Sequence, residues 1–113
     1  MRKLAAATLI SMLTSGAFAQ SGVESTTPAA GAEMTEVPAD VSLDFANDIR
    51  LTRVDMTHRN HPTVTLDLGA QTGFRRDFTL PMQPMGGGPY RIEWFGVGRD
   101  GGALQGDFTF VVD

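Results

Sequence analysis

Residues 41–56, with the sequence VSLDFANDIRLTRVDM, decide the fold. At the start of this stretch, Val41, Leu43 and Phe45 alternate with polar or small residues. Successive side chains of a strand point to opposite faces of its sheet, so an apolar residue at every second position marks one buried face. The stretch therefore predicts a strand that packs against a core on one side only.

The remainder of this stretch predicts an irregular continuation. Asn47 and Asp48 give a turn signal. The apolar residues that follow occupy first one parity and then the other: Ile49 and Leu51, then Val54 and Met56. Because a change of parity turns side chains to the opposite face, we expect a bend or bulge near Thr52 and Arg53 that keeps both sets facing inward.

Shorter alternating segments follow along the chain. They are residues 64–68, 78–80, 90–94 and 108–112, with a proline-bounded loop at residues 81–89. An extended pairing is also expected at residues 25–28, and no segment carries helical periodicity. Five or six short strands separated by turn residues predict an all-β fold, an antiparallel β-sandwich with Trp94 in its core. A small barrel is the structural alternative.

The N-terminal segment has the pattern of a secretory signal peptide. Arg2 and Lys3 precede an apolar run at residues 4–13, and a small-residue cleavage site follows at residues 17–19. We expect cleavage after Ala19. The apolar run is too short to span a hydrocarbon core of about 30 Å. The mature protein is therefore expected to be exported, without insertion in the membrane.

The rest of the chain divides at Val37. Residues 20–36 are rich in Ser, Thr, Ala, Gly and Glu and lack an apolar period, so they are expected to be a weakly ordered N-terminal segment. Residues 37–113 carry the alternation and form the predicted sandwich domain. Three segments follow from the sequence: signal peptide 1–19, weakly ordered segment 20–36 and domain 37–113.

Charge and cysteine content exclude several classes of function. The formal charge is -4, and removing Arg2 and Lys3 leaves seven basic residues against 13 acidic ones, a charge of -6. Nucleic acid and anionic membranes are poor partners for such a chain. The absence of cysteine excludes disulfides, thiolate zinc sites, iron–sulfur clusters and a lipoprotein anchor. A metal must therefore be held by His, Met, carboxylate or backbone ligands.

Enzymatic motifs are absent from the sequence. It contains no Gly-x-Ser-x-Gly nucleophile elbow, and neither His58 nor His61 lies in a recognisable triad context. The glycine run at residues 86–88 is not followed by the Lys-Ser or Lys-Thr of a phosphate loop. We therefore expect a protein that is not an enzyme.

Several motifs resemble those of one known family. The segments concerned are TPAAGA at residues 27–32, VP at 37–38, VSLDF at 41–45, the proline-rich loop at 80–90, YRIEW at 90–94, DG at 100–101 and FTFVV at 108–112. In this order and spacing they resemble the CopC family of small exported copper-handling proteins. The resemblance implies an immunoglobulin-like, Greek-key β-sandwich of about seven strands, and copper binding in the periplasm.

The family's cupric site is only partly represented. Its ligands are typically a histidine at the mature N-terminus and the aspartate and histidine of an Asp-Gly-His motif, a nitrogen-rich set that suits Cu(II). Here the mature chain is expected to begin with Gln20, and the motif reads Asp100-Gly101-Gly102. Asp100 alone is retained, as the remnant of that site or as an aspartate that bonds the backbone of its own turn.

A cuprous site offers more candidate ligands. Some family members bind Cu(I) through clustered methionines and a histidine, and soft thioether ligands select Cu(I). The candidates in this sequence are Met56, His58, His61, Met82 and Met85. The competing interpretation is that Met56 and Met85 fill the core and that the two histidines lie on the surface without a metal and need not face each other.

The resemblance implies a periplasmic copper-binding protein of copper homeostasis or resistance, a carrier or buffer whose copper ion is Cu(I) rather than Cu(II). Its expected partners are the copper ion and either an inner-membrane copper transporter or another periplasmic protein. The alternative is a metal-free immunoglobulin-like interaction module that has lost the family's Cu(II) site and accepts a partner strand at an exposed sheet edge.

Overall fold

A computed structural model describes residues 22–113 of the chain. These residues form seven strands: β1 Val23–Thr27, β2 Glu33–Met34, β3 Asp40–His58, β4 Val64–Thr65, β5 Phe74–Pro81, β6 Gly88–Gly98 and β7 Ala103–Val112. Within this part of the chain, no helix is long and apolar enough to cross a membrane. The predicted signal peptide and Gln20 lie outside the described residues.

Strand β3 connects the two layers of a β-sandwich. Its first part pairs antiparallel with β1 and β5, and its second part pairs antiparallel with β6 and β4. Strand β7 then pairs with β6. Phe45, in the first part of β3, meets Trp94 of β6 edge to face, with 4.9 Å between ring centroids. The two groups of strands therefore face each other across one core, as the sequence predicts for a sandwich.

One strand pair departs from the antiparallel prediction. Strand β2 runs parallel to β7, with Glu33 opposite Val111 and Met34 opposite Val112. The backbone N–H of Gly31 donates to the Thr109 carbonyl at 2.7 Å and aligns the chain with β7 just before β2 begins. The sheet is therefore mixed.

The irregularities of β3 agree with the sequence in one place and differ in another. The register against β6 shifts between Leu51 and Arg53, which confirms the predicted bulge. The predicted turn at Asn47 and Asp48 is wrong, because the strand continues through both residues. Between Asp44 and Ile49, β3 has more residues than the part of β5 that lies opposite, so the register of the two strands shifts there.

The segment before Val37 also differs from its prediction. Residues 25–27 of β1 pair with residues 42–44 of β3, which confirms the pairing expected there, and β2 adds a short strand to β7. Strands β1 and β2 both lie within residues 23–36, the segment that is expected from the sequence to be weakly ordered. Backbone hydrogen bonds pair these strands, and Val23, Ala32 and Met34 pack against the core, but these scattered apolar residues produce no alternation in the sequence.

The core is centred on Trp94, which is 1% exposed, as predicted. Its indole packs over Gly106 of β7, where a Cβ atom would lie 2.8 Å from Trp94 Cζ2. Real Cβ atoms do not approach ring atoms so closely, so glycine is required at this position for the indole to lie flat across β7.

We predict that Gly106→Ala destabilises the fold, because the added methyl group must displace the indole from a well-packed core. The expected loss is about 1 to 3 kcal/mol in the free energy of unfolding, measured by urea denaturation with tryptophan fluorescence. Gly73→Ala is the matched control, since a Cβ there meets nothing within 4 Å. Equal stability of the two variants would contradict the packing argument.

A second structural feature is a buried carboxylate on β3. Asp55 is 5% exposed and accepts hydrogen bonds from Arg53 Nε at 3.0 Å and from Thr65 Oγ1 at 3.0 Å. The hydrogen bond from Arg53 lowers the pKa of Asp55 below its ordinary value, and this effect outweighs burial, which alone would raise it. The carboxylate links the bulged part of β3 to β4.

We predict that Asp55→Asn lowers stability by about 1 kcal/mol at pH 7. Because the folded state lowers the pKa of Asp55, its contribution is complete above pH 4 and declines as the pH falls through the folded-state pKa. The difference between wild type and variant should therefore shrink in urea titrations between pH 4 and pH 2. Asp77→Asn is the control, since that side chain is 74% exposed; a loss as large for Asp77→Asn would refute the prediction.

Candidate metal site

Two histidines meet at the end of β3. His58 is its last residue, lies opposite Tyr90 of β6 and is 2% exposed. A tight turn follows, in which the His61 backbone N–H donates to the His58 carbonyl at 3.0 Å. The turn brings His61 Nδ1 to 3.1 Å from His58 Nδ1. The interpretation of two separate surface histidines is therefore wrong: His58 is buried and the imidazoles face each other.

A backbone carbonyl fixes the orientation of His58. Its Nε2 lies 2.7 Å from the Gly87 oxygen. Because a carbonyl oxygen only accepts, His58 Nε2 carries the hydrogen, and the lone pair of the neutral ring is on Nδ1. His61 Nδ1 lies 3.0 Å from the His58 oxygen and so carries the hydrogen that the two rings share. The lone pair of His58 therefore points at its partner histidine.

The separation of the two Nδ1 atoms has a direct chemical consequence. Imidazole nitrogens bind zinc, and similar ions, at about 2.0 Å, which places two adjacent ligands about 3 Å apart. The observed 3.1 Å matches that spacing. One metal ion could therefore bind both Nδ1 atoms in place of the shared hydrogen, once His61 carries its proton on Nε2 and both rings direct their Nδ1 lone pairs at the ion.

The candidate methionines belong to the core or its margin. Met56 and Met82 are buried in the core cluster, and Met85 packs against it. Met56 precedes His58 by two residues and so points to the same side of β3. The Met85 backbone N–H donates to the Tyr90 hydroxyl at 2.9 Å, and the Tyr90 ring lies 4.4 Å from the His58 ring. Met56 and Met85 therefore lie at the histidine end of the sandwich, mainly as packing residues.

Asp100 lies at the other end. It follows β6 by two residues, whereas His58 pairs with Tyr90 near the start of that strand. The eight residue steps from Tyr90 to Gly98 span about 26 Å of strand. Asp100 Oδ1 accepts a hydrogen bond from the Gly102 backbone N–H at 2.9 Å, which is the turn geometry of the alternative interpretation. The structure does not bring Asp100 to the histidines.

An open cleft of about 540 Å³ lies beside Asp100. Its walls include Asp48, which pairs with Arg99 at 3.1 Å and with Arg76 at 3.8 Å. The two arginines balance the charges of Asp48 and Asp100, so the charged side chains of the cleft carry no net negative charge to attract a cation. Among residues 22–113, no three His, Cys, Asp or Glu side chains are grouped so that they could hold a metal ion.

Sequence reasoning missed the residues that support the histidine pair. Gly87 supplies the carbonyl that bonds His58, and it lies so close to the C-terminal strand that a Cβ there would be 3.1 Å from the Asp113 backbone oxygen. Arg59 Nε donates to the same Gly87 oxygen at 3.2 Å. The glycine run at residues 86–88 was the available sequence signal for this support, but it predicts only a tight loop and not the hydrogen bond to His58.

Comparisons with known proteins agree with the fold and identify the family. The solved CopC structure from Methylosinus trichosporium OB3b is similar to this chain with a TM-score of 0.69 and 20% identity, over 80% of this chain and 91% of that one. PcoC, a methionine-rich copper resistance protein from Escherichia coli, has a TM-score of 0.56 and 24% identity, over 80% and 96%. No curated protein sequence matches. The family model of the CopC domain matches residues 23–113, so the chain belongs to the CopC family.

Proposed function

We propose that this chain is an exported copper-binding protein of copper homeostasis or resistance, with His58 and His61 as its nitrogen donors. The observation that carries the proposal is the 3.1 Å contact between the two Nδ1 atoms. Membership of the CopC family supports copper as the ion. PcoC, which has the same fold, is a copper resistance protein.

The donors at this site favour Cu(I). The family's cupric ligands are reduced to Asp100, which has no imidazole partner in this sequence. Met56 and Met85 add thioether sulfurs at the histidine end of the sandwich, and thioethers select Cu(I). We propose that the histidine pair is the primary site, that a rotation of either methionine completes it, and that Met82 remains in the core. Asp100 is proposed as the remnant of a separate cupric site.

The exposure of the two histidines supports a role as carrier or buffer. His58 is buried, whereas His61 is exposed. An ion held between them is reached through the His61 side, so it can be passed on without opening of the sandwich. A periplasmic protein or an inner-membrane copper transporter is the recipient class that we propose. The predicted signal peptide would deliver the chain to that compartment.

The alternative function, a metal-free interaction module that accepts a partner strand, is disfavoured at one sheet edge, that of β5. The Gln71 side chain lies along the free edge of β5, where its Nε2 donates to the Thr79 carbonyl at 2.8 Å and its Oε1 accepts from the Thr79 N–H at 2.9 Å. Pro81 ends the same edge and has no N–H. A partner strand would have to displace Gln71, so this edge is protected from strand addition.

We predict that the secreted chain binds one Cu(I) ion and that His61→Ala weakens this binding by about 10- to 100-fold. The protein would be purified from the periplasm, and its mass would test cleavage after Ala19. Cu(I) under anaerobic reduction and Cu(II) in air would be titrated against competing chelators. The His61 side chain is exposed, so the variant should keep its fold, which near-ultraviolet circular dichroism of Trp94 would verify.

Asp100→Asn is the matched control, since it removes a candidate ligand at the opposite end of the sandwich and should leave Cu(I) affinity unchanged. Tight Cu(II) binding that is lost in Asp100→Asn would move the functional site to the Asp100 end. Failure of the wild type to compete for either ion would overturn the copper proposal and favour the interaction module.

A further inference from the structure

Arg59 holds a positive charge beside the histidine pair. Its Nε donates to the Gly87 carbonyl oxygen at 3.2 Å, and the same oxygen accepts the hydrogen bond of His58 Nε2 at 2.7 Å. Since both nitrogens bond one atom, they lie at most about 6 Å apart. A metal ion on His58 Nδ1, across the imidazole ring, would therefore lie within about 10 Å of the guanidinium group.

The position of Arg59 is determined by the backbone around it. Its φ of 51° is in the left-handed region, which a residue with a long side chain seldom adopts. The guanidinium lies over Gly88, where a Cβ atom would collide with it. The turn after β3 and the glycines before β6 therefore direct this side chain to the Gly87 carbonyl.

The charge of Arg59 is also uncompensated by any salt bridge within residues 22–113. Five other arginines of this part of the chain pair with carboxylates: Arg53, Arg75, Arg76, Arg91 and Arg99. The Arg59 guanidinium bonds a neutral carbonyl instead. Its field at the histidine pair is therefore reduced by solvent and salt but not by an ion pair.

We infer that Arg59 is a specificity-determining residue, which disfavours divalent ions at the histidine pair and so selects Cu(I) over Cu(II). This inference rests on the proposed copper function. Coulomb repulsion is proportional to the charge of the bound ion, so the logarithm of affinity lost to Arg59 is twice as large for Cu(II) as for Cu(I). At 10 Å and an effective dielectric near that of water, this corresponds to about twofold for Cu(I) and about fourfold for Cu(II).

The test is the Arg59→Asn variant, because asparagine removes the charge and tolerates the left-handed conformation. Affinities for Cu(I) and Cu(II) would be measured by chelator competition at low salt and again at 1 M salt. Arg50→Asn is the matched control: Arg50 lies on β3, makes no salt bridge within residues 22–113, and pairs with Val97 at the other end of β6.

At low salt we expect Arg59→Asn to raise Cu(I) affinity about twofold and Cu(II) affinity about fourfold. At 1 M salt, where the Debye length is about 3 Å, both gains should disappear. Arg50→Asn should change neither affinity. A purely structural role of Arg59 would shift both ions equally and independently of salt, and that result would overturn the inference.

The same measurements test the role of Arg59 and the proposed copper function separately. Wild-type binding of copper with an unchanged preference in Arg59→Asn would refute the role of Arg59 alone. Absence of copper binding in the wild type and in both variants would refute the copper function, and the inference with it.

Discussion

The hydrogen bonds along β3 determine where the rest of the molecule lies. This strand pairs with four of the other six strands, so its register sets the register of both layers. The shift between Leu51 and Arg53 is the decisive detail. Without it, every later side chain of β3 would turn to the opposite face, and His58 would point to solvent. The histidine pair thus depends on an irregularity that lies five to seven residues earlier in the same strand.

Hydrogen bonds explain why a polar pair of histidines is tolerated at the margin of an apolar core. A buried imidazole without hydrogen bonds would be costly, but His58 has a partner on each nitrogen: the Gly87 carbonyl and His61. Tyr90 lies beside the His58 ring, and its hydroxyl donates to the Gly86 carbonyl at 2.6 Å and accepts a hydrogen bond from the Met85 backbone N–H. The loop before β6 is therefore held by the side chains that surround the site. The geometry of this loop and the geometry of the histidine pair therefore depend on the same hydrogen bonds.

Sequence periodicity predicted the features that depend on burial alone. The strands, the bulge in β3 and the core position of Trp94 all follow from which residues must avoid water. What the sequence could not predict depends on backbone partners: β2, the continuation of β3 through Asn47 and Asp48, and the contact between His58 and His61. That contact is produced by a turn closed by a main-chain hydrogen bond, and Arg59 reaches Gly87 only because of its left-handed φ. Neither the main-chain hydrogen bond nor the left-handed φ produces a recognisable pattern of residue types in the sequence.

The proximity of Gly87 to Asp113 affects how the protein can be handled. The end of β7 runs past the carbonyl that holds His58, so any chain that continues beyond Asp113, natural or engineered, would begin beside the histidine pair. A polyhistidine affinity tag attached there would place a flexible string of imidazoles next to the native ones. Such a tag would capture metal ions by local concentration and would obscure the intrinsic affinity of the site.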